Sequence, residues 1–162
     1  MQDYHEPKVG ERAPDFDLPS TEGKDLSIVD FKGKWIVLYF YPKDDTPGCT
    51  AEACSFRDHN SELEKEGVVV LGVSGDSLES HEKFREKHNL NFPLLSDQMA
   101  DVAKMYGAWG EKNFYGKRSW GVKRSTFLIG PKGRIHKIYR KVDTKTHGET
   151  LLNDVREFKK KS

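Results

Sequence analysis

Cys49 and Cys54 are the only cysteines in the 162-residue chain, and they stand five positions apart in "YPKDDTPGCTAEACSF", residues 41–56. A thiolate is a nucleophile and a reductant, and two neighbouring thiols can give up two electrons as a disulfide. The approach to the first cysteine is a helix opening: Thr46 is a candidate cap, while Pro47 and Gly48 permit a sharp entry into the first turn. Cys49 then sits where unpaired backbone N–H groups and the positive end of the helix dipole converge. A thiol with an ordinary pKa near 8.5 can fall to about 3.5–7.5 in such a place, so Cys49 is the expected nucleophile.

The elements that must hold this loop are legible as patterns. The runs "WIVLYFY" (35–41), "VVVLGVS" (68–74) and "STFLIG" (125–130) are apolar on both faces and read as buried central strands, with helices between them. Pro42 has no N–H and stops the first strand just before the loop. The helix that begins near Cys49 continues through "AEACSFRDHNSELEKEG" to Gly67, with Phe56 and Leu63 one heptad apart. "SLESHEKFREKHNL" reads as a helix capped by Ser77 or Ser80, and "MADVAKMYGAWG" as another short one. "STFLIGPKGRIHKIYR" reads as a β-hairpin, and Leu151, Leu152, Val155 and Phe158 form one stripe of a closing helix over 149–159. A short N-terminal hairpin lies within 13–34. The sum is one α/β domain over 1–162, a central mixed sheet flanked by helices, with the order of a thioredoxin-like core carrying an N-terminal β-hairpin extension.

Lys and Arg total 27 against 26 Asp and Glu, a net charge of +1, so nothing draws the chain to nucleic acid or to an anionic membrane. No apolar run reaches membrane-spanning length, and "MQDYHEPKVGERAPDFD" has no apolar secretory core, so the expectation is a soluble cytoplasmic protein. In a reducing compartment a cysteine pair is catalytic or metal-binding more often than a staple. His5, His59, His81, His88, His136 and His147 are scattered among charges, are expected on solvated faces, and receive no catalytic role.

The Cys-x4-Cys spacing leaves more than one chemistry open. A dithiol oxidoreductase acting on protein disulfides normally uses Cys-x-x-Cys. A metal module would need Cys49, Cys54 and a histidine such as His59, yet a structural zinc site takes four ligands. On an ideal helix, residues five apart have Cα atoms about 8–9 Å apart. A disulfide tolerates about 7 Å at most, so any bond between them requires the first turns to unwind.

The stretch "PKDDTPGC", 42–49, resembles the Pro-x-x-x-Thr-x-x-Cys motif of peroxiredoxins, and Arg124 in "KRSTFLI" is similar to that family's active-site arginine. "YPKDDTPGCTAEACSFRD", "LLSD", the "YG" and "WGEKNFYGK" segments and "GVKRSTFLIG" are similar to the peroxiredoxin Q, or bacterioferritin comigratory protein, subfamily from about Gly10 to the C-terminal helix. Two places are less typical: Gly130, where relatives often carry Asp, and the loop "KRSW" before Gly121. The resemblance implies a thiol peroxidase acting on hydrogen peroxide and organic hydroperoxides, without haem, flavin or metal. It implies that Cys49 becomes a sulfenic acid, that the helix opens, that Cys54 attacks to form an intramolecular disulfide, and that thioredoxin or a similar dithiol re-reduces it. Thr46 and Arg124 would hold the peroxide oxygens, Pro42 would shield the site, and N–H groups near Gly48 and Cys49 would add donors. Glu52, one turn after Cys49, is placed to orient Arg124. The subfamily contains monomers and dimers, so a monomer or weak homodimer is expected.

Overall fold

The computed structural model describes residues 5–161. Leu18–Pro19 (β1) and Asp25–Leu26 (β2) pair antiparallel as the small N-terminal hairpin, followed by a 3-10 turn at Ile28–Phe31. Trp35–Phe40 (β3) leads into the long helix Pro47–Lys65 (α1), then Val68–Ser74 (β4), Leu78–Lys87 (α2), Leu94–Ser96 (β5) and the single-turn helix Asp101–Met105 (α3). Trp109–Phe114 (β6) and Lys117–Val122 (β7) form a separate antiparallel hairpin. Ser125–Ile129 (β8), Ile135–Tyr139 (β9) and His147–Lys160 (α4) complete the chain.

The main sheet has the strand order β5-β4-β3-β8-β9. β3 runs parallel to β4 and antiparallel to β8, so the sheet is mixed. Every residue of β3 is buried, because each face of the sheet carries its own core. Ile36, Leu38 and Phe40 point into a layer closed by Phe16, Leu26, Val102 and Tyr106. Trp35, Val37, Tyr39 and Tyr41 point the other way, into a layer closed by Phe56 and Leu63 of α1 and by Leu151, Leu152 and Val155 of α4. Strands buried on both faces cannot alternate, which is why these segments read as unbroken apolar runs.

Several terminators act as the sequence suggests. Gly67 adopts φ +78° just after α1, a conformation that favours glycine. Ser77 caps α2 by accepting the N–H of Ser80 at 3.2 Å. Pro42 follows directly after Tyr41, whose N–H makes the last ladder bond, to the Val73 carbonyl at 3.0 Å.

Two segments differ. The expected helix through "MADVAKMYGAWG" stops at Met105, and the segment from Trp109 onwards is strand. Gly107 has φ +67°, which breaks the helix, and the Lys123 N–H then bonds the Ala108 carbonyl at 2.7 Å. "KRSW" is likewise not a loop but the start of β7, facing β6 across a two-residue turn at Tyr115 and Gly116, both with positive φ. Positive φ at both central residues is the pairing that matches the twist of a two-residue hairpin, but here Tyr takes the place usually held by Asn or Asp.

Gly130 has a local packing reason. A Cβ there would collide with the His136 ring, which packs against both Trp35 and Phe158 with centroids 4.7 and 5.2 Å away. His136 and the space left by Gly130 therefore belong together.

Candidate active site

The site assembles where β3 ends, α1 begins and β8 starts. Thr46 is the N-cap residue of α1 and Pro47 its first residue, so Cys49 lies in the first turn as expected. The Cys49 side chain is only 2% exposed and packs in the α1 layer of the core. Helix geometry leaves the N–H groups of Gly48 and Cys49 without intrahelical acceptors. The Thr46 side chain does not cap them, because its hydroxyl donates to the Lys43 carbonyl at 2.9 Å. The expected side-chain cap is thus replaced by a hydrogen bond within the loop, and the first-turn donors stay directed at the space beside the sulfur.

Arg124 reaches this point from the residue just before β8. Its Nη2 lies 3.3 Å from Cys49 Sγ, and its Nη1 donates to Glu52 Oε1 at 2.6 Å. Two residues separated by 75 positions thus meet at one sulfur. Burial works against the Arg124 cation, yet Glu52 and Cys49 outweigh it and raise its pKa above the usual value. Glu52 is fully buried, and burial lifts its carboxyl from 4.5 to about 7 despite the guanidinium beside it. Its Oε2 has no hydrogen-bond partner, and neither does the nearby buried Tyr39 hydroxyl.

Gly48 acquires a reason beyond flexibility. A Cβ at this position would stand 3.2 Å from Arg124 Nη2, closer than most real contacts. The glycine makes room for the guanidinium.

Cys54 is half-buried one and a half turns further along the unbroken α1, and both cysteines are free thiols. Pro42 is half-buried at the strand end. The metal-binding alternative finds no assembled ligand set around the cysteines: His59 Nδ1 donates to the Ser55 carbonyl at 2.9 Å. Among the described residues the one close grouping of three His, Cys, Asp or Glu side chains is Asp44, Asp76 and His81.

Sequence reasoning placed His81 and His147 on solvated faces, and both are buried, at 0% and 2% exposure. The signal was present: His81 precedes Phe84 by three residues, and His147 precedes Leu151 and Val155 by four and eight, on the buried stripes of α2 and α4. Burial and the Arg124 charge hold the His147 imidazole down at about 4. The unforeseen β6–β7 hairpin also flanks the site. Half-buried Lys112 on β6 is held below the usual lysine value by burial and by the Arg124 charge, with Cys49 opposing.

Among described residues, no helix is long and apolar enough to cross a membrane. Residues 9–138 match the AhpC/TSA family. A putative peroxiredoxin bcp of Coxiella burnetii is 53% identical over 140 residues, covering 86% of this chain and 93% of that protein. Peroxiredoxin Bcp of Bacillus subtilis is 46% identical over 154 residues, covering 95% and 98%. Among solved structures, Xanthomonas campestris peroxiredoxin Q superposes with a TM-score of 0.83 at 39% identity, covering 88% of this chain and 90% of that one. Serine variants of two different cysteines of the X. campestris protein have been solved, and those cysteines are 36 positions apart in its sequence, against five for Cys49 and Cys54. Sequence, fold and site geometry converge: the chain belongs to the AhpC/TSA family, on its bacterioferritin comigratory protein or peroxiredoxin Q branch, and is a thiol peroxidase with a thioredoxin-like fold.

Proposed function

We propose that Cys49 reduces hydrogen peroxide and organic hydroperoxides, that Cys54 resolves the product, and that an external dithiol such as thioredoxin restores both thiols. The observation that carries the assignment of Cys49 is the Arg124 Nη2 to Cys49 Sγ contact of 3.3 Å at the first turn of α1. A guanidinium and a helix N-terminus both favour negative charge on sulfur. Alkyl peroxide reduction is described for the bacterioferritin comigratory protein of X. campestris.

In the first step the Cys49 thiolate attacks one peroxide oxygen in line with the O–O bond. That bond breaks, sulfur becomes a sulfenic acid, and the departing oxygen leaves as water or an alcohol after taking a proton from solvent. Charge moves from sulfur to the departing oxygen, so donors fixed around both positions lower the barrier. Arg124 and the N–H groups of Gly48 and Cys49 serve as those donors, and the Thr46 hydroxyl joins them by turning from Lys43 to the peroxide. Glu52 holds Arg124 in register, and Pro42 screens the sulfur from bulk water.

In the second step the Cys54 thiolate attacks the sulfenic sulfur, the S–O bond breaks, the departing hydroxide leaves as water after taking a proton from solvent, and a disulfide forms. Thiol–disulfide exchange with the external dithiol then returns both electrons. The thiols carry all the electrons, so the scheme calls for no cofactor. Cys49 is 2% exposed, too little to meet a disulfide on a folded protein directly, which argues against the alternative of a protein dithiol oxidoreductase.

The test is a peroxidase assay coupled to thioredoxin and its reductase, run on wild type, Cys49→Ser and Cys54→Ser. Cys49→Ser should lose turnover with every peroxide and reductant, since a serine hydroxyl is too weak an acid to supply the nucleophile. Cys54→Ser should complete one oxidation and then fail to recycle. Retained turnover in Cys49→Ser would remove the central assignment.

A further inference from the structure

Two residues before Thr46 the loop carries a buried polar centre that the peroxide scheme does not use. The Asp44 side chain is 4% exposed and that of His81, near the start of α2, is 0% exposed. His81 Nδ1 lies 2.7 Å from Asp44 Oδ2, and His81 Nε2 lies 2.9 Å from the Leu95 carbonyl oxygen. A carbonyl oxygen only accepts, so Nε2 donates to it, and Nδ1 is left to share a hydrogen bond with the Asp44 carboxyl. The pair is a buried Asp–His hydrogen bond.

Asp44 is saturated by further donors. The Tyr41 hydroxyl donates to its Oδ1 at 2.6 Å and the Ser80 hydroxyl to its Oδ2 at 2.8 Å. Its own N–H donates to Asp76 Oδ2 at 2.8 Å, an oxygen that also receives the Ser74 hydroxyl at 2.7 Å. Although donor atoms of Asp44, Asp76 and His81 lie within 4.8 Å of one another, both His81 nitrogens are spent on protein partners, so the cluster offers no imidazole lone pair to a metal.

Burying an Asp and a His together is an inefficient way to stabilise a fold, since desolvating polar groups cancels most of what their hydrogen bonds gain and apolar residues of equal size often do better. What such a pair supplies is one defined position. The position it defines here is that of Asp44, midway between Pro42 and Thr46. The neighbouring Asp45 is in the left-handed region at φ 59°, and its carboxylate is held only from outside, by Lys87 at 2.8 Å and His88 at 3.3 Å. The connection between β3 and α1 is therefore anchored inside at Asp44, by its side chain to α2 and by its N–H to Asp76 in the turn before α2.

The geometry points to Asp44 and His81 as a positioning pair for the peroxide step, clamping the 41–46 loop onto α2 so that Thr46 and the first-turn N–H groups present one fixed arrangement to the incoming peroxide. Neither residue touches the peroxide, and the inference rests on Cys49 being the reacting thiol. Loosening the clamp should slow peroxide attack without dulling the sulfur, because Arg124 and the dipole of α1 are untouched.

Asp44→Asn or His81→Leu alone would strand a buried polar partner and endanger folding, so the test uses milder changes. Tyr41→Phe and Ser80→Ala each remove one donor to Asp44 and leave the Asp44–His81 bond whole. Stopped-flow rate constants are measured for Cys49 with hydrogen peroxide and, separately, with iodoacetamide, which reports thiolate reactivity and needs no oxygen-positioning groups. The expected peroxide constants are two- to fivefold lower in each single variant and at least tenfold lower in Tyr41→Phe/Ser80→Ala, with iodoacetamide constants within twofold of wild type. Ser80→Thr, which keeps the hydroxyl, should recover most of the single-variant loss. A peroxide constant within twofold of wild type in the double variant overturns the clamp, as do peroxide and iodoacetamide constants that change in parallel. If wild type and Cys49→Ser consume peroxide equally, the reading of Cys49 fails instead, a result distinct from either.

Discussion

His147 Nε2 stands 4.0 Å from Glu52 Oε2, and burial keeps the two groups from forming an ion pair over most of the acid range. The Glu52 carboxyl is raised from 4.5 to about 7 by burial, and the His147 imidazole is lowered from 6.5 to about 4 by burial and by Arg124. Between pH 4.5 and 6.5 both are therefore mainly uncharged in the folded protein, while in the unfolded chain both are mainly charged.

Their effects on stability run in opposite directions. For Glu52 the folded state holds its proton more tightly, so stability falls as pH rises from 4.5 to about 7, by about 3 kcal/mol in total. For His147 the folded state binds its proton less tightly, so stability falls as pH drops from 6.5 to about 4, by a similar ~3 kcal/mol. The two slopes nearly cancel in wild type. Glu52→Gln should leave the His147 slope alone, making the protein gain on wild type as pH rises. His147→Gln should leave the Glu52 slope alone and gain on wild type as pH falls. Urea unfolding across pH 4.5–7, with each variant read as a difference from wild type, checks this; pH-independent differences would show that these groups do not titrate as described.

Arg124→Ala should lower the rate constant for peroxide by about 10²–10³, the size seen when one fixed donor to a developing oxyanion is lost. Arg124→Lys should recover only part, because one ammonium cannot serve Cys49 at 3.3 Å and Glu52 at 2.6 Å with the planar fork of a guanidinium. Stopped-flow oxidation of each variant by hydrogen peroxide measures both. An Arg124→Ala rate equal to wild type would assign the residue to Glu52 alone.

Gly48→Ala would stiffen the first turn of α1, yet it is no clean probe of helix opening. Its Cβ would press against Arg124 Nη2 at 3.2 Å, so the variant should slow peroxide attack itself, by about tenfold. Thr50→Ala stiffens the same turn by replacing a weak helix former with the best one, without facing Arg124. It should leave the peroxide constant unchanged and slow disulfide formation. Rapid-quench thiol alkylation after one equivalent of peroxide separates the two steps, and equal peroxide constants in Gly48→Ala and wild type would disprove the crowding.

The parts of this site that could be read from the sequence are those encoded locally. Thr46, Pro47, Gly48 and Cys49 announce a helix start within four residues, and the strands that hold it are apolar on both faces. Arg124 has no local signature: its place at Cys49 comes from the antiparallel pairing of β3 with β8, which no spacing reveals, so only the family resemblance pointed to it. The β6–β7 hairpin was hidden because its strands bury little, and β7 is exposed from Lys117 to Trp120, leaving no two-residue alternation to detect. Asp44 and the buried histidines were passed over because a charged residue in a loop and a histidine among charges look solvated until the packing is known.

The last prediction concerns how far α1 opens. Oxidation by one equivalent of peroxide should give an intramolecular Cys49–Cys54 disulfide, and the helix must unwind for it, because the ideal separation of about 8–9 Å exceeds the bond's reach. The structure limits where that unwinding ends. Phe56 is 0% exposed, and Gly148 of α4 donates its N–H to Ser55 Oγ at 2.8 Å, with no room for a Cβ between the two helices. Ser55 onwards is thus tied to α4 and the sheet, whereas the first turn is bounded by Gly48 and has Thr50 half-buried. Amide exchange in the oxidised protein should accelerate over 48–54 and stay slow from Phe56 to Leu63, and reduction should reverse it. Ser55→Ala, which releases the Gly148 tie, should move the boundary toward the C-terminus and speed disulfide formation by a few-fold. An oxidised protein with uniform protection through residues 48–63, or one whose disulfide joins two chains, would contradict resolution by opening of the first turns.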